Sequence, residues 1–238
     1  MKVTADMTAP IYVYYELTNF YQNHRRYVKS RSDAQLAGTV YTNPASSLLL
    51  DCDPLRSRGG KVLHPCGLMA NSYFNDTFNL TGNRGPIDET GIAWSTDKAT
   101  KFKPVDVTKH RDLVTYINDT YPGISNVDNE HFIVWMRPAA LPSFRKLYGR
   151  ITTSLKSGDV ISFDVKSNYP VESFGGTKAL VVTTLSFLGG KNSFLGIAYL
   201  VVGFLCIALA FLFGLKHYVV GGRKLGDASF LLNSAQRR

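Results

Sequence analysis

The chain has 238 residues, a formal charge of +9, 45% hydrophobic residues and 19% charged ones. This excludes a disordered chain and allows one large domain or two small ones with a real core. The positive excess favours an anionic partner, nucleic acid or a membrane surface, and the placement of the charges decides which.

The N-terminus, MKVTADMTAPIYVYY, has no apolar run that would serve as a signal peptide or membrane anchor. PIYVYYEL alternates Ile11, Val13, Tyr15 and Leu17 with Tyr12, Tyr14 and Glu16, the period of a strand. NFYQNHRRYVKSR, residues 19–31, comes next. Asn19 is placed to cap a helix, and Phe20, His24, Tyr27 and Val28 fall at i, i+4, i+7 and i+8. The spacing predicts a short amphipathic helix ending before Gly38, with Arg25, Arg26 and Lys29 on its outer face. Bases stack on aromatics interleaved with cations, so the same stretch also fits a single-stranded nucleic-acid groove.

Residues 39–109 are rich in Gly, Pro, Asn and Asp and read as long loops decorating a sheet. Cys52 and Cys66 flank a polar loop there. In an oxidising compartment they are expected to close a disulfide worth about 3 kcal/mol. The rival is a metal site built from both cysteines and His64, which lacks a fourth ligand and C-x-x-C spacing. N-x-[S/T] triplets at Asn75, Asn79 and Asn118 are candidate glycosylation sites. Further on, HFIVWM (131–136) reads as a buried strand. VISFDVK reads as a half-buried strand with Ile161, Phe163 and Val165 inward, and ALVVTTLSF as a β-branched strand leading through Gly189 and Gly190 to the last segment.

From Phe194 to Leu215 no charged residue occurs in 22 positions. At helical rise this spans about 33 Å, enough for a hydrocarbon core of about 30 Å. Lys216, Arg223, Lys224, Arg237 and Arg238 follow it, whereas the twenty residues before it hold only Lys178 and Lys191. The positive-inside rule therefore puts the tail in the cytosol and the large N-terminal region in the lumen or outside the cell. A basic tail after the apolar run excludes a glycolipid-anchor signal, and Cys206 within it reads as inert packing. The three triplets all lie on the predicted outer side. That placement also removes the nucleic-acid reading of residues 19–31. The expected fold is a membrane protein: a β-rich (α+β) ectodomain with an antiparallel sheet (1–190), one C-terminal transmembrane helix (191–217) and a basic tail (218–238). Translocating so large a domain ahead of its first anchor is uncommon, so a truncated N-terminus or an unusual topology is expected.

Catalytic signatures are absent: no G-x-S-x-G, H-E-x-x-H, GxxxxGK[ST] or GxGxxG occurs. His64, His110 and His131 are scattered, and Asp88-Glu89 reads as a solvated loop pair. No catalytic residue, cofactor or metal ligand set is expected.

Five runs in one order carry a resemblance: VYYELTNFYQNHRRYVKSR, PCGLMANSYFNDTF, GIAWSTDK, VWMRPAALPSFRKLYGRI and LGGKNSFLGIAYLVVG. Together the chain resembles the cell-division-control-50 (ligand-effect-modulator 3) family, the accessory β-subunits of type-IV P-type ATPase phospholipid flippases. RSDAQL and GGRKLGDASF resemble plant-type, ALA-interacting members. The resemblance implies a non-catalytic subunit that covers the outer loops of the ATPase α-subunit, escorts it from the endoplasmic reticulum and supports lipid translocation. It also implies a Cys52–Cys66 bridge and a sequon at Asn75. Its departures are a missing first membrane helix and upstream cysteine pair, Pro138 where Thr is usual, and Phe187 where Trp is usual. Arg25, Arg26 and Lys29 are then candidates for contact with the pump or with lipid phosphates of the bilayer. A stand-alone receptor or adhesion-like protein is the alternative.

Overall fold

The computed structural model describes residues 1–82, 85–186, 189–190 and 193–221. It divides into two compact units, Met1–Leu188 and Gly189–Arg238. Phe187, Lys191 and the basic tail from Arg223 onward lie outside the described residues.

The first unit is organised around β1 (Ile11–Leu17), whose burial alternates as the sequence predicts. Ile11, Val13, Tyr15 and Leu17 are all at most 3% exposed. Each such side chain contributes on the order of 1.5–3 kcal/mol on burial, which fixes the register, since a slip of one residue would turn this face to water. Two short helices follow, α1 (Arg25–Lys29) and α2 (Asp33–Leu36). The single amphipathic helix expected from Asn19 to Gly38 is not formed. Asn19 adopts a left-handed φ of 58° and donates from Nδ2 to the Phe174 carbonyl at 2.6 Å, so it caps nothing. Ser32 is the cap that forms, accepting the Gln35 amide at 3.3 Å at the start of α2.

Residues 39–109 are loop-rich but hold more structure than expected: β2 (Ser57–Arg58), β3 (Lys61–His64), β4 (Thr77–Thr81) and α3 (Ser95–Thr100). Then come β5 (Val114–Tyr116), α4 (Ile117–Thr120) and α5 (Glu130–Trp135). The strand expected at HFIVWM is thus a helix. Asn129 accepts the Phe132 amide at 3.2 Å and caps it. Phe132, Ile133, Trp135 and Met136 are buried, the one-face spacing of a helix. The chain continues through β6 (Phe144–Ile151), β7 (Ser162–Lys166) and β8 (Lys178–Thr183).

These eight strands form three sheets. The order β6-β1-β8 is antiparallel throughout, and β4 pairs antiparallel with β7. In β2-β3-β5 the second pair is parallel, which the sequence pattern did not foretell. The β1–β6 register shifts between Val13 and Tyr14. Burial in β6 accordingly runs through Phe144, Lys146 and Tyr148, then changes phase to Gly149 and Ile151. The extra residue keeps both halves of the strand facing the core, and it places a lysine there. β7 is less buried than expected: Ile161 before it is buried, but Val165 is 46% exposed.

Trp135 anchors the core. Its ring lies 5.6 Å from Phe20, 6.1 Å from Tyr169 and 6.5 Å from Phe144, and its Nε1 donates to the Met69 carbonyl at 2.8 Å. An indole buried in this way brings its apolar surface out of water without orphaning its N–H.

The second unit holds α6 (Ser193–Val220). Within it, Phe194–Val219 is long and apolar enough to cross a membrane, with no part of that stretch buried. Hydrophobic all round, it suits lipid as its solvent.

Candidate partner interface

Residues 19–36 sit between two other parts of the first unit and bond to both. On one side they hold the turn after α5. The Phe20 amide donates to the Pro142 carbonyl at 3.1 Å, Gln22 Oε1 accepts the Ala139 amide at 2.9 Å, and Asn23 Nδ2 donates to the Ala140 carbonyl at 2.8 Å. On the other side they hold the cysteine loop. Ser30 Oγ contacts the Asp53 carbonyl and the Leu68 amide, both at 2.9 Å. Gln35 donates to the Leu63 carbonyl at 3.1 Å and accepts the Cys66 amide at 2.8 Å. Both Ser30 and Gln35 are buried, so leaving either unpaired would cost about 1–3 kcal/mol. Cys52 and Cys66 are joined, with Cα atoms 5.6 Å apart. Their sulfurs are therefore committed, and the rival metal site with His64 is not formed.

On this support α1 presents Arg25 and Arg26, both exposed. Lys29 is exposed but pairs with Asp51 at 3.0 Å. Phe20 and Tyr27 pack against the core edge to face at 5.7 Å, as their spacing implied. The basic face is thus carried by one helical turn, and part of its charge is already balanced.

A second cluster joins two of the quoted runs, GIAWSTDK and VWMRPAALPSFRK. The Arg137 guanidinium lies 3.4 Å over the Trp94 ring, and Trp94 is itself 61% exposed. Buried Asp97 pairs with Lys101 at 2.8 Å and Arg137 at 3.5 Å. Glu130 accepts the Ile92 and Ala93 amides and pairs with Lys98 at 3.2 Å. Burial works to raise the Glu130 carboxyl, but these donors hold it below its ordinary value. Lys146, at the inward position left by the β6 phase, donates to the Val134, Trp135 and Arg137 carbonyls at 3.0, 2.6 and 2.7 Å. It caps the end of α5, while burial, aided by Arg137, pushes its ammonium down to about 7. Beside this cluster a cleft of about 620 Å³ is lined by Arg31, Leu36, Lys101, Phe102, Arg137 and Pro138, among others. Sequence reading missed the cluster; the signal was there as an isolated Trp and Arg in two separate runs, without any spacing to join them.

The remaining sequence candidates are spread out. Asn79 is exposed on β4, and Asn75 is half-buried. Asn118 Oδ1 in α4 is buried without a hydrogen-bond partner among the described residues. Asp88 and Glu89 are not a bare solvated pair: Asp88 holds Arg150 at 3.0 Å and Glu89 holds His131 at 2.9 Å. Among the described residues no three His, Cys, Asp or Glu side chains converge as a metal site. The arrangement offers Trp, Arg and small apolar groups on pre-organised turns, the composition of a binding surface.

A family model described as the LEM3 (ligand-effect modulator 3) family / CDC50 family matches residues 1–224. ALA-interacting subunit 3 of Arabidopsis thaliana is 50% identical over 235 residues, covering 97% of this chain and 66% of that protein. Cell cycle control protein 50B of Homo sapiens is 42% identical over 231 residues, covering 85% and 65%. Phospholipid-transporting ATPase accessory subunit CRF1 of Saccharomyces cerevisiae is 40% identical over 235 residues, covering 92% and 58%. The chain spans about two thirds of the length of the curated relatives it matches first.

Proposed function

The chain belongs to the LEM3/CDC50 family, and from that premise we propose that it is an integral-membrane, non-catalytic β-subunit of a type-IV P-type ATPase phospholipid flippase. The observation that carries the reading is the match through residues 1–224 to a family with relatives named ALA-interacting subunit and phospholipid-transporting ATPase accessory subunit. What the geometry adds is a mode of action. A binding subunit needs rigid, exposed anchors more than perturbed acid–base pairs, and the turn at 137–142, latched by Gln22 and Asn23, is such an anchor.

In this reading residues 1–190 form a lumenal or extracellular ectodomain, 191–217 span the bilayer and 218–238 face the cytosol. Arg25 and Arg26 meet acidic groups of the pump's outer loops or lipid phosphates, and Lys29 joins them on release from Asp51. The N–H-bearing Asn79 side chain, exposed on β4, is the sequon best placed to carry a glycan, with Asn75 and Asn118 more enclosed. The complex passes from the endoplasmic reticulum to Golgi or plasma membrane.

Immunoprecipitation of this chain from native membranes is expected to recover a large P-type ATPase, and glycosidase treatment to increase its gel mobility. Repeated recovery of no ATPase would overturn the function, and a shift in mobility is incompatible with a cytosolic location of the N-terminal region. Arg25→Glu with Arg26→Glu is expected to lower ATPase recovery severalfold; undiminished recovery removes these two side chains from the interface.

A further inference from the structure

His64 is buried to 2% exposure in the disulfide lobe, and among the described residues both of its ring nitrogens lack a hydrogen-bond partner. Buried polar groups in folded proteins are nearly always paired, so two orphaned nitrogens on one ring call for a physical account. The ring sits on β3, opposite Tyr116 of β5 in the parallel ladder, and the two rings meet edge to face at 5.5 Å. The crevice they share, bordered by Asn71, Thr115, Thr120 and Tyr121, is too narrow to admit a water molecule.

Among the described residues no carboxylate is bonded to the ring. On β2 the charged group is Arg58. On β3 itself it is Lys61, whose Nζ donates to the Arg111 carbonyl at 2.7 Å. Beside β5, Asp119 is committed to Arg111 at 3.0 Å and to the Tyr116 amide at 3.0 Å. Asp106 faces Lys109 and Thr108. The Tyr116 hydroxyl donates to the Lys109 carbonyl, and both Tyr116 and Tyr121 have their phenols raised by burial, so they stay neutral.

We infer that His64 makes the β2-β3-β5 lobe an acid-released clasp, in which protonating the imidazole drives it from its crevice and parts β3 from β5. The Cys52–Cys66 bond holds the ends of the loop together, so the opening is local and reversible. Gln35 binds Leu63 and Cys66, and Ser30 binds Asp53 and Leu68, so opening the lobe loosens the segment that leads back to Arg25 and Arg26. The consequence for a partner docked on α1 rests on the function proposed above; the opening itself does not.

The direction follows from the burial. Desolvation lowers the imidazole from 6.5 to about 4 in the closed lobe, whereas the opened ring titrates at its ordinary value. The closed form is therefore fully favoured above pH 6.5 and loses ground as pH falls toward 4, by about tenfold per unit. Between pH 6.5 and pH 5 the open fraction rises about fifteenfold.

The test is hydrogen exchange on the full chain in lipid nanodiscs, corrected for intrinsic exchange, with no pump present. Amides of Val62–His64 and Val114–Tyr116 are expected to exchange about fifteenfold faster, relative to the intrinsic rate, at pH 5 than at pH 6.5. In His64→Leu this acid response is expected to vanish. Unchanged protection in the natural chain, or an equal response in His64→Leu, overturns the inference. Should the leucine variant fail to fold, NMR titration of the His64 ring in the natural chain decides. Titration below pH 5 supports the clasp, and titration at pH 5 or above overturns it.

Discussion

Asp76→Asn isolates the ion pair that ties the β4-β7 sheet to the β6-β1-β8 sheet. Asp76 Oδ2 meets Lys178 Nζ at 2.6 Å, with the two side chains 2% and 22% exposed. Its Oδ1 accepts the Asn168 and Tyr169 amides at 2.6 and 2.7 Å. Asp76 precedes β4 and Lys178 opens β8, so this one carboxylate joins the β4-β7 sheet to the β6-β1-β8 sheet. The asparagine keeps an oxygen for the two amides but turns an N–H donor toward the ammonium. Breaking a buried pair by removing one partner costs about 3–5 kcal/mol; the partial exposure of Lys178 puts the expected loss near the lower bound, about 3 kcal/mol. For a unit of this size that lowers Tm by about 6–12 °C. The substitution leaves the Asn75 triplet intact, so a lost sequon does not confound the result. Thermal and urea unfolding of the full chain in detergent would measure it, with Lys178→Met and the double variant closing the cycle. The double variant is expected to recover at least 1 kcal/mol relative to Asp76→Asn, because no charge is then left buried alone. A single-variant loss below 1 kcal/mol, or a double variant no better than Asp76→Asn, would refute the assigned role.

Gly67→Ala is expected to destabilise by about 3 kcal/mol or more: φ there is +99°, and an added Cβ would fall inside the Ser30 carbonyl. Loss of the Asn19–Leu36 anchorage should accompany it, visible as faster proteolysis within that segment. Removing the bridge with Cys52→Ser and Cys66→Ser is expected to cost about 3 kcal/mol in unfolding free energy for a loop of 14 residues' separation. A loss under 1 kcal/mol would mean that Gln35 and Ser30 already hold the loop without it.

Much of the fold was legible where one physical signal stood unopposed. β1 alternates because one of its faces is buried, and that period is written in Ile11, Val13, Tyr15 and Leu17. The membrane helix is legible for a related reason: lipid tolerates no charge, so its stretch is marked by what it lacks. HFIVWM was not legible, because a run of five apolar residues suits a buried strand and a buried helix alike. Its outcome is set by the Asn129 cap at one end and the Lys146 ammonium at the other. Lys146 lies eleven residues beyond Trp135 on a different element, and no local pattern announces it. The stretch at 19–31 shows the converse. Its helical spacing was real for Tyr27, but the side chains of Asn19, Gln22 and Asn23 bond to distant carbonyls and amides, and only α1 remains helical.

The sequence by itself determined the class of protein. An apolar span, a strand period and five ordered runs need only local chemistry to be recognised, and they led to an integral membrane protein of the LEM3/CDC50 family. Tertiary structure decided which residues act together. Trp94 on Arg137, the latch from Gln22 to Ala139, the seating of Lys146 and the unpaired imidazole of His64 all join or isolate groups by long-range packing. Such pairings depend on where the chain returns in space, and a reading confined to neighbouring residues contains no term for that return.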